Sequence, residues 1–79
     1  MKKYIEVYTR KNCMQCNFTK KWLDDRGIKY HPIDIEQRPA QADKLKELGY
    51  QTVPVVVVHG EPVTSWFGFR PDILEEVLG

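Results

Sequence analysis

No stretch of the 79-residue sequence approaches the length of a membrane span, which needs about 20 mainly apolar residues. The N-terminus, "MKKYIEVYTRKNC", carries Lys2 and Lys3 but then only a few apolar residues, broken by Glu6. A signal peptide needs a longer apolar core. An excess of one charge is missing too: 12 basic residues face 11 acidic ones, for a net charge of +1. That leaves no electrostatic case for nucleic acid or an anionic membrane. No linker, repeat or low-complexity tract interrupts the chain, so residues 1–79 read as one domain. These absences set the expectation of a cytoplasmic monomer.

Cysteine is scarce as well. The only two, Cys13 and Cys16, stand three positions apart in "TRKNCMQCNFTKKW". A disulfide between them closes a very short loop, and short loops restrain the unfolded chain least. A purely structural staple is therefore a poor explanation. In a compartment that keeps thiols reduced, a C-x-x-C is catalytic or metal-binding.

What is present alternates between strand and helix signals. "YIEVY", 4–8, is β-branched and aromatic and reads as a strand. From residue 16 to about 26 the pattern is helical, with Phe18, Trp22 and Leu23 on one face and Gly27 as the stop. "IKYHPIDI", 28–35, is a second strand, which Pro32 confines to an edge. A helix opens at Pro39, stops at Gly49, and repeats Ala42, Leu45 and Leu48. "TVPVVVV", 52–58, has four consecutive valines, as suits a central strand buried on both faces. "HGEP", 59–62, is a turn, and residues 63–65 begin a fourth strand. Pro71 opens a last helix striped with Ile73, Leu74, Val77 and Leu78. The order is β-α-β-α-β-β-α. A right-handed crossover makes strands 1 and 2 parallel, and the turn at 59–62 makes strands 3 and 4 antiparallel. The expected fold class is α/β, a four-stranded mixed sheet flanked by three helices.

This order puts Cys13 at the exit of a strand and Cys16 in the first turn of a helix. The first amides of a helix lack internal partners, and the dipole places partial positive charge there. A thiolate at that spot is stabilised, which makes Cys13 a nucleophile near neutral pH. Lys11 and Arg10 add positive charge. Cys16, one turn further in, suits the second step: attack on a mixed disulfide and release of the reduced partner. The rival is metal. Zinc takes four ligands, and Cys13, Cys16, His31 and His59 supply that number. The histidines, however, do not have the three to five intervening residues of a finger. A cluster bridging two chains, two thiolates from each, is compatible with the spacing. His31 reads as a strand-edge residue, His59 as a turn residue, and Asp24, Asp25, Glu75 and Glu76 as solvated helix faces.

The architecture and the C-x-x-C together resemble the thioredoxin fold in its smallest, glutaredoxin-like form. "VYTRKNCMQC" is similar to the first strand and redox turn of glutaredoxins. "TVP", 52–54, resembles the loop that carries a cis-proline against the redox cysteine. Glutaredoxins usually have Pro-Tyr between the cysteines, whereas Met14 and Gln15 stand here. "SWFGFRPD", 65–72, resembles the W-S-G-F-R-P segment of NrdH redoxins, and the likeness runs over essentially the whole chain. In one departure, Phe67 replaces a residue that is usually small and polar. The resemblance implies a dithiol–disulfide electron carrier that needs no dissociable cofactor. It implies reduction by thioredoxin reductase and delivery of electrons to class Ib ribonucleotide reductase. It makes Cys13 the attacking thiol and Cys16 the resolving one, paired as a redox-active disulfide. It places Lys11, Met14, Gln15, Val53, Pro54, Trp66, Phe69 and Arg70 toward substrate or partner. A glutathione-dependent glutaredoxin and an iron–sulfur or metal-binding module are the alternatives. The sequence does not say which of Trp66, Phe67 and Phe69 fill the core and which face a partner.

Overall fold

Seven elements follow one another in a computed structural model that describes residues 4–79: β1 (Tyr4–Thr9), α1 (Met14–Asp25), β2 (His31–Asp34), α2 (Pro39–Glu47), β3 (Val55–His59), β4 (Thr64–Phe67) and α3 (Pro71–Leu78). Lys2 and Lys3, which entered the reading of the N-terminus, lie outside the described residues. No helix of the described residues is long and apolar enough to cross a membrane.

The sheet order is β2-β1-β3-β4. β1 pairs parallel with β2, as the crossover rule requires, and β3 pairs antiparallel with β4 across the 59–62 turn. β1 and β3 pair antiparallel to join the two halves, so both are central. The valine run therefore sits where its composition demands. Val55, Val56, Val57 and Val58 are all buried, because helices cover both faces.

Side chains alternate across a strand, and that alternation divides the core. Ile5, Val7, Val56 and Val58 join Trp22, Leu23, Trp66 and Leu74 on the face covered by α1 and α3. Tyr8, Val55 and Val57 join Leu45, Val53 and Cys16 on the α2 side.

Several boundaries and faces differ from expectation. β3 begins at Val55 and not at 52, since Pro54 has no N–H for the ladder. β2 is cut to four residues, while β4 runs on to Phe67. α1 begins at Met14, with Cys13 as its N-cap. Phe18 does not share the buried face of α1. The stripe is Cys16, Thr19, Trp22 and Leu23, and Phe18 stands one residue, about 100° of helix, to its side; it is 47% exposed. Leu48 is also exposed, because it caps the end of α2, where the chain turns away at Gly49.

Candidate functional site

The redox turn lies between β1 and α1. Asn12 adopts a left-handed conformation (φ 58°), which asparagine tolerates better than most residues. The Lys11 backbone N–H donates to Glu36 Oε1 at 3.2 Å, tying the turn to the β2–α2 loop. Glu36 N–H in turn donates to Asp34 Oδ1 at 2.8 Å. Cys13 then caps α1: its Sγ accepts the Cys16 N–H at 3.2 Å. The two cysteines form a disulfide. Cys13 is half-buried and Cys16 wholly buried, as their places on the helix implied.

The 52–54 loop lies against this turn, although its residues are some 40 positions later in the chain. The Val53–Pro54 peptide bond is cis, as the resemblance implied. The Val53 carbonyl oxygen is 3.9 Å from Cys13 Sγ. The Val53 side chain is buried, so its backbone is what faces the sulfur. A third segment, 66–70, fastens both of these together. Gly68 N–H donates to the Pro54 carbonyl at 2.8 Å, and Phe69 N–H donates to Gln15 Oε1 at 3.1 Å. Gly68 has φ +90°, a conformation glycine adopts without strain.

The aromatic question left open by the sequence has a divided answer. Trp66 is 5% exposed and belongs to the α1/α3 core, which corrects its assignment to partner contact. Phe67 is 44% exposed on the edge strand β4. Phe69 is half-buried, its ring centroid 5.7 Å from that of Phe18. Met14, between the cysteines, is 71% exposed. Phe18 thus lies next to a residue of the C-terminal segment, a placement that its helical spacing alone had pointed inward. Lys11 is exposed. Arg70 is exposed but engaged: its Nη2 and Nε donate to the two Asp72 carboxylate oxygens at 2.9 and 3.1 Å. Those bonds hold the Asp72 carboxyl below its ordinary value and raise the Arg70 guanidinium above its own. Glu36 and Asp72 were not singled out as partners by the sequence. For Asp72, its place two residues after Arg70 was the available signal; for Glu36 there was none.

Behind the disulfide, Tyr8 is wholly buried in the same cluster as Cys16. Burial, and then the charges of Glu6 and Tyr4, push its hydroxyl above 10.0. The four-ligand zinc set is not assembled. His31 stacks on Tyr4 at 4.5 Å, and His59 Nε2 meets Glu6 Oε1 at 2.7 Å. Both histidines sit at the Tyr4 end of the sheet, while the cysteines follow its Thr9 end. Among the described residues, no three His, Cys, Asp or Glu side chains are grouped to hold a metal ion.

Residues 5–63 match the family model Glutaredoxin. The glutaredoxin-like protein NrdH of Salmonella typhimurium is 38% identical over 73 residues, covering 92% of this chain and 86% of that protein. The Lactococcus lactis subsp. cremoris protein of the same name is 34% identical, with 92% and 97% covered. The chain belongs to the glutaredoxin family and, within it, to the glutaredoxin-like NrdH proteins. The solved structure of NrdH-redoxin from Escherichia coli superposes with a TM-score of 0.86 at 36% identity, covering 96% of each chain. The architecture is accordingly the thioredoxin fold. This member of the family is a redox protein whose Cys13 and Cys16 are joined as a disulfide.

Proposed function

We propose that the protein is a cytoplasmic dithiol electron carrier, reduced by thioredoxin reductase, that delivers its electrons to class Ib ribonucleotide reductase. The observation that carries this reading is the sulfur of Cys13, held as the cap of α1 beside the backbone of Val53 and Pro54. In the reduced form the Cys13 thiolate attacks one sulfur of a partner disulfide. A mixed disulfide forms, and the partner's second sulfur leaves as a thiolate. Cys16, once deprotonated, attacks Cys13 Sγ; the Cys13–Cys16 disulfide closes and the partner's first sulfur leaves reduced. Two electrons pass to the partner, and two protons end on its thiols.

The choice of reductase rests on segment 66–70. Glutathione carries two carboxylates and an ammonium, and a protein that uses it needs groups placed for those charges. Glutaredoxins typically read Gly-Gly-x-Asp at this segment, where this chain has Phe67, Gly68, Phe69 and Arg70. An arginine does not pair with an ammonium, and Asp72 is already held by Arg70. The exposed rings of Phe67 and Phe18 and the Met14 side chain instead offer apolar surface suited to a protein partner. Escherichia coli NrdH-redoxin, similar over nearly the whole chain, is described as thioredoxin-like in its activity profile. NADPH consumption in two coupled assays at equal protein tests the reading. Thioredoxin reductase should reduce the disulfide efficiently, and glutathione with glutathione reductase poorly. Faster turnover with glutathione would assign the protein to the glutathione-dependent glutaredoxins.

A further inference from the structure

Gln15 lies between the cysteines, yet its amide oxygen is committed to a residue 54 positions away, the Phe69 backbone N–H. Its neighbour Gly68 is committed in the other direction, to the Pro54 carbonyl. Two hydrogen bonds through two adjacent residues therefore connect the redox turn with the loop whose Val53 carbonyl faces Cys13 Sγ. The fit at the junction is close. A Cβ built on Gly68 would lie 3.4 Å from Gln15 Oε1, a close but ordinary contact, and what calls for glycine there is its φ of +90°. Gln15 itself is exposed. A hydrogen bond open to water adds little to global stability, so holding the fold together is a poor account of this one.

We propose that Gln15 is a positioning residue: by holding Phe69, and through Gly68 the Pro54 carbonyl, it fixes the Val53–Pro54 backbone beside Cys13 Sγ, so that a partner's disulfide segment can lie along that backbone and still reach the sulfur. The role rests on the carrier reading above. It predicts a substrate-dependent effect. A protein disulfide, which must lie along the loop, needs the loop held in place; a small disulfide that only has to reach the sulfur does not.

The test compares wild type, Gln15→Leu and Gln15→Glu. Leucine removes the acceptor at similar bulk, whereas glutamate keeps an acceptor at the same reach. Each protein is reduced with dithiothreitol, desalted and mixed with insulin or with the neutral small disulfide dithiodipyridine. The readout is the ratio of the two second-order rate constants, in which any change in thiolate reactivity largely cancels. Loss of one hydrogen bond of this kind should lower the insulin-to-dithiodipyridine ratio roughly three- to tenfold in Gln15→Leu. Gln15→Glu should return it to within about twofold of wild type. Amide hydrogen exchange at Phe69 should quicken in the leucine variant and stay protected in the glutamate one. A Gln15→Leu ratio equal to wild type, or a Gln15→Glu ratio as low as that of Gln15→Leu, overturns the positioning role and leaves the carrier reading intact. A wild-type protein that reacts with dithiodipyridine but not with insulin overturns the carrier reading, and the positioning role with it.

Discussion

The Cys13 sulfur is bonded to the Cys16 sulfur and accepts the Cys16 amide hydrogen, besides facing the Val53 carbonyl. The amide hydrogen bond survives when the disulfide opens, because a cap acceptor does not depend on the S–S bond. Serine is among the best N-cap residues, so Cys13→Ser should keep α1 in place while removing the nucleophile. Mixed with an oxidised protein substrate, that variant should form no adduct. Cys16→Ser should attack and then stall as a stable mixed disulfide on Cys13, visible by mass spectrometry. An adduct on Cys16 in the first variant, with none in the second, would reverse the roles. Both cysteines were legible from spacing and from their place between strand and helix. The carbonyl that faces them was not, since nothing local in "TVP" reports a contact 40 residues back. Arg70 was legible only in part: its charge was plain, its engagement by Asp72 was not. That pairing has a titration signature. A carboxyl lowered in the folded state contributes stability above its unfolded value, near 3.8, and loses it as pH falls through the folded value. NMR titration of the Asp72 carboxyl carbon should therefore give a midpoint below 3.8, and Arg70→Ala should move it upward. Both side chains are exposed, so melting temperature should barely respond. An Asp72 midpoint that ignores Arg70→Ala would remove the pair as its cause.

At the scale of elements, composition predicted every strand and helix, and errors collected at their ends and on their faces. The prolines account for much of the success. Pro39 and Pro71 open α2 and α3, where a missing N–H costs nothing within the helix. The face of α1 was misjudged because Phe18 and Trp22 are four apart and aromatic, which is also how a core stripe reads. The true stripe includes Thr19, whose hydroxyl is satisfied by the Gln15 carbonyl at 2.9 Å and so can be buried. Periodicity counts apolar residues and passes over a threonine of this kind. The distinction has a measurable consequence. Leu23→Ala empties a wholly buried position and should cost about 2–5 kcal/mol, a large share of a small domain's stability. Phe18→Ala should cost far less in urea unfolding while slowing reaction with a protein disulfide, if the exposed ring serves docking. Equal losses of stability in the two variants would return Phe18 to the core. β4 was the least legible element, since Trp66 and Phe67 are adjacent aromatics and only the strand's alternation decides which turns inward.

For the whole molecule, two chain rules yielded two strand pairs, one parallel and one antiparallel. How the pairs join was not within reach of either rule. β1 and β3 meet at the centre of the sheet, where Ile5, Val7 and Tyr8 of the one and the four valines of the other are buried. The resulting sheet has a chemical polarity, with sulfur at one end and imidazole at the other, and this separation is what dissolves the zinc alternative. It also has two free borders, and β2 is one of them. Ile35 N–H donates to the Thr9 carbonyl. Amides alternate in direction along a parallel ladder, so the nitrogen of Pro32 faces away from β1. A stranger strand approaching that border would look for a donor there and find a ring. The proline inside β2 thus stops the sheet from being copied outward, chain upon chain, when molecules crowd together. Pro32→Val, which supplies the missing amide and a strand-forming side chain, should raise light scattering in concentrated protein held just below its melting temperature. Scattering equal to that of the wild type would mean that other features guard the border.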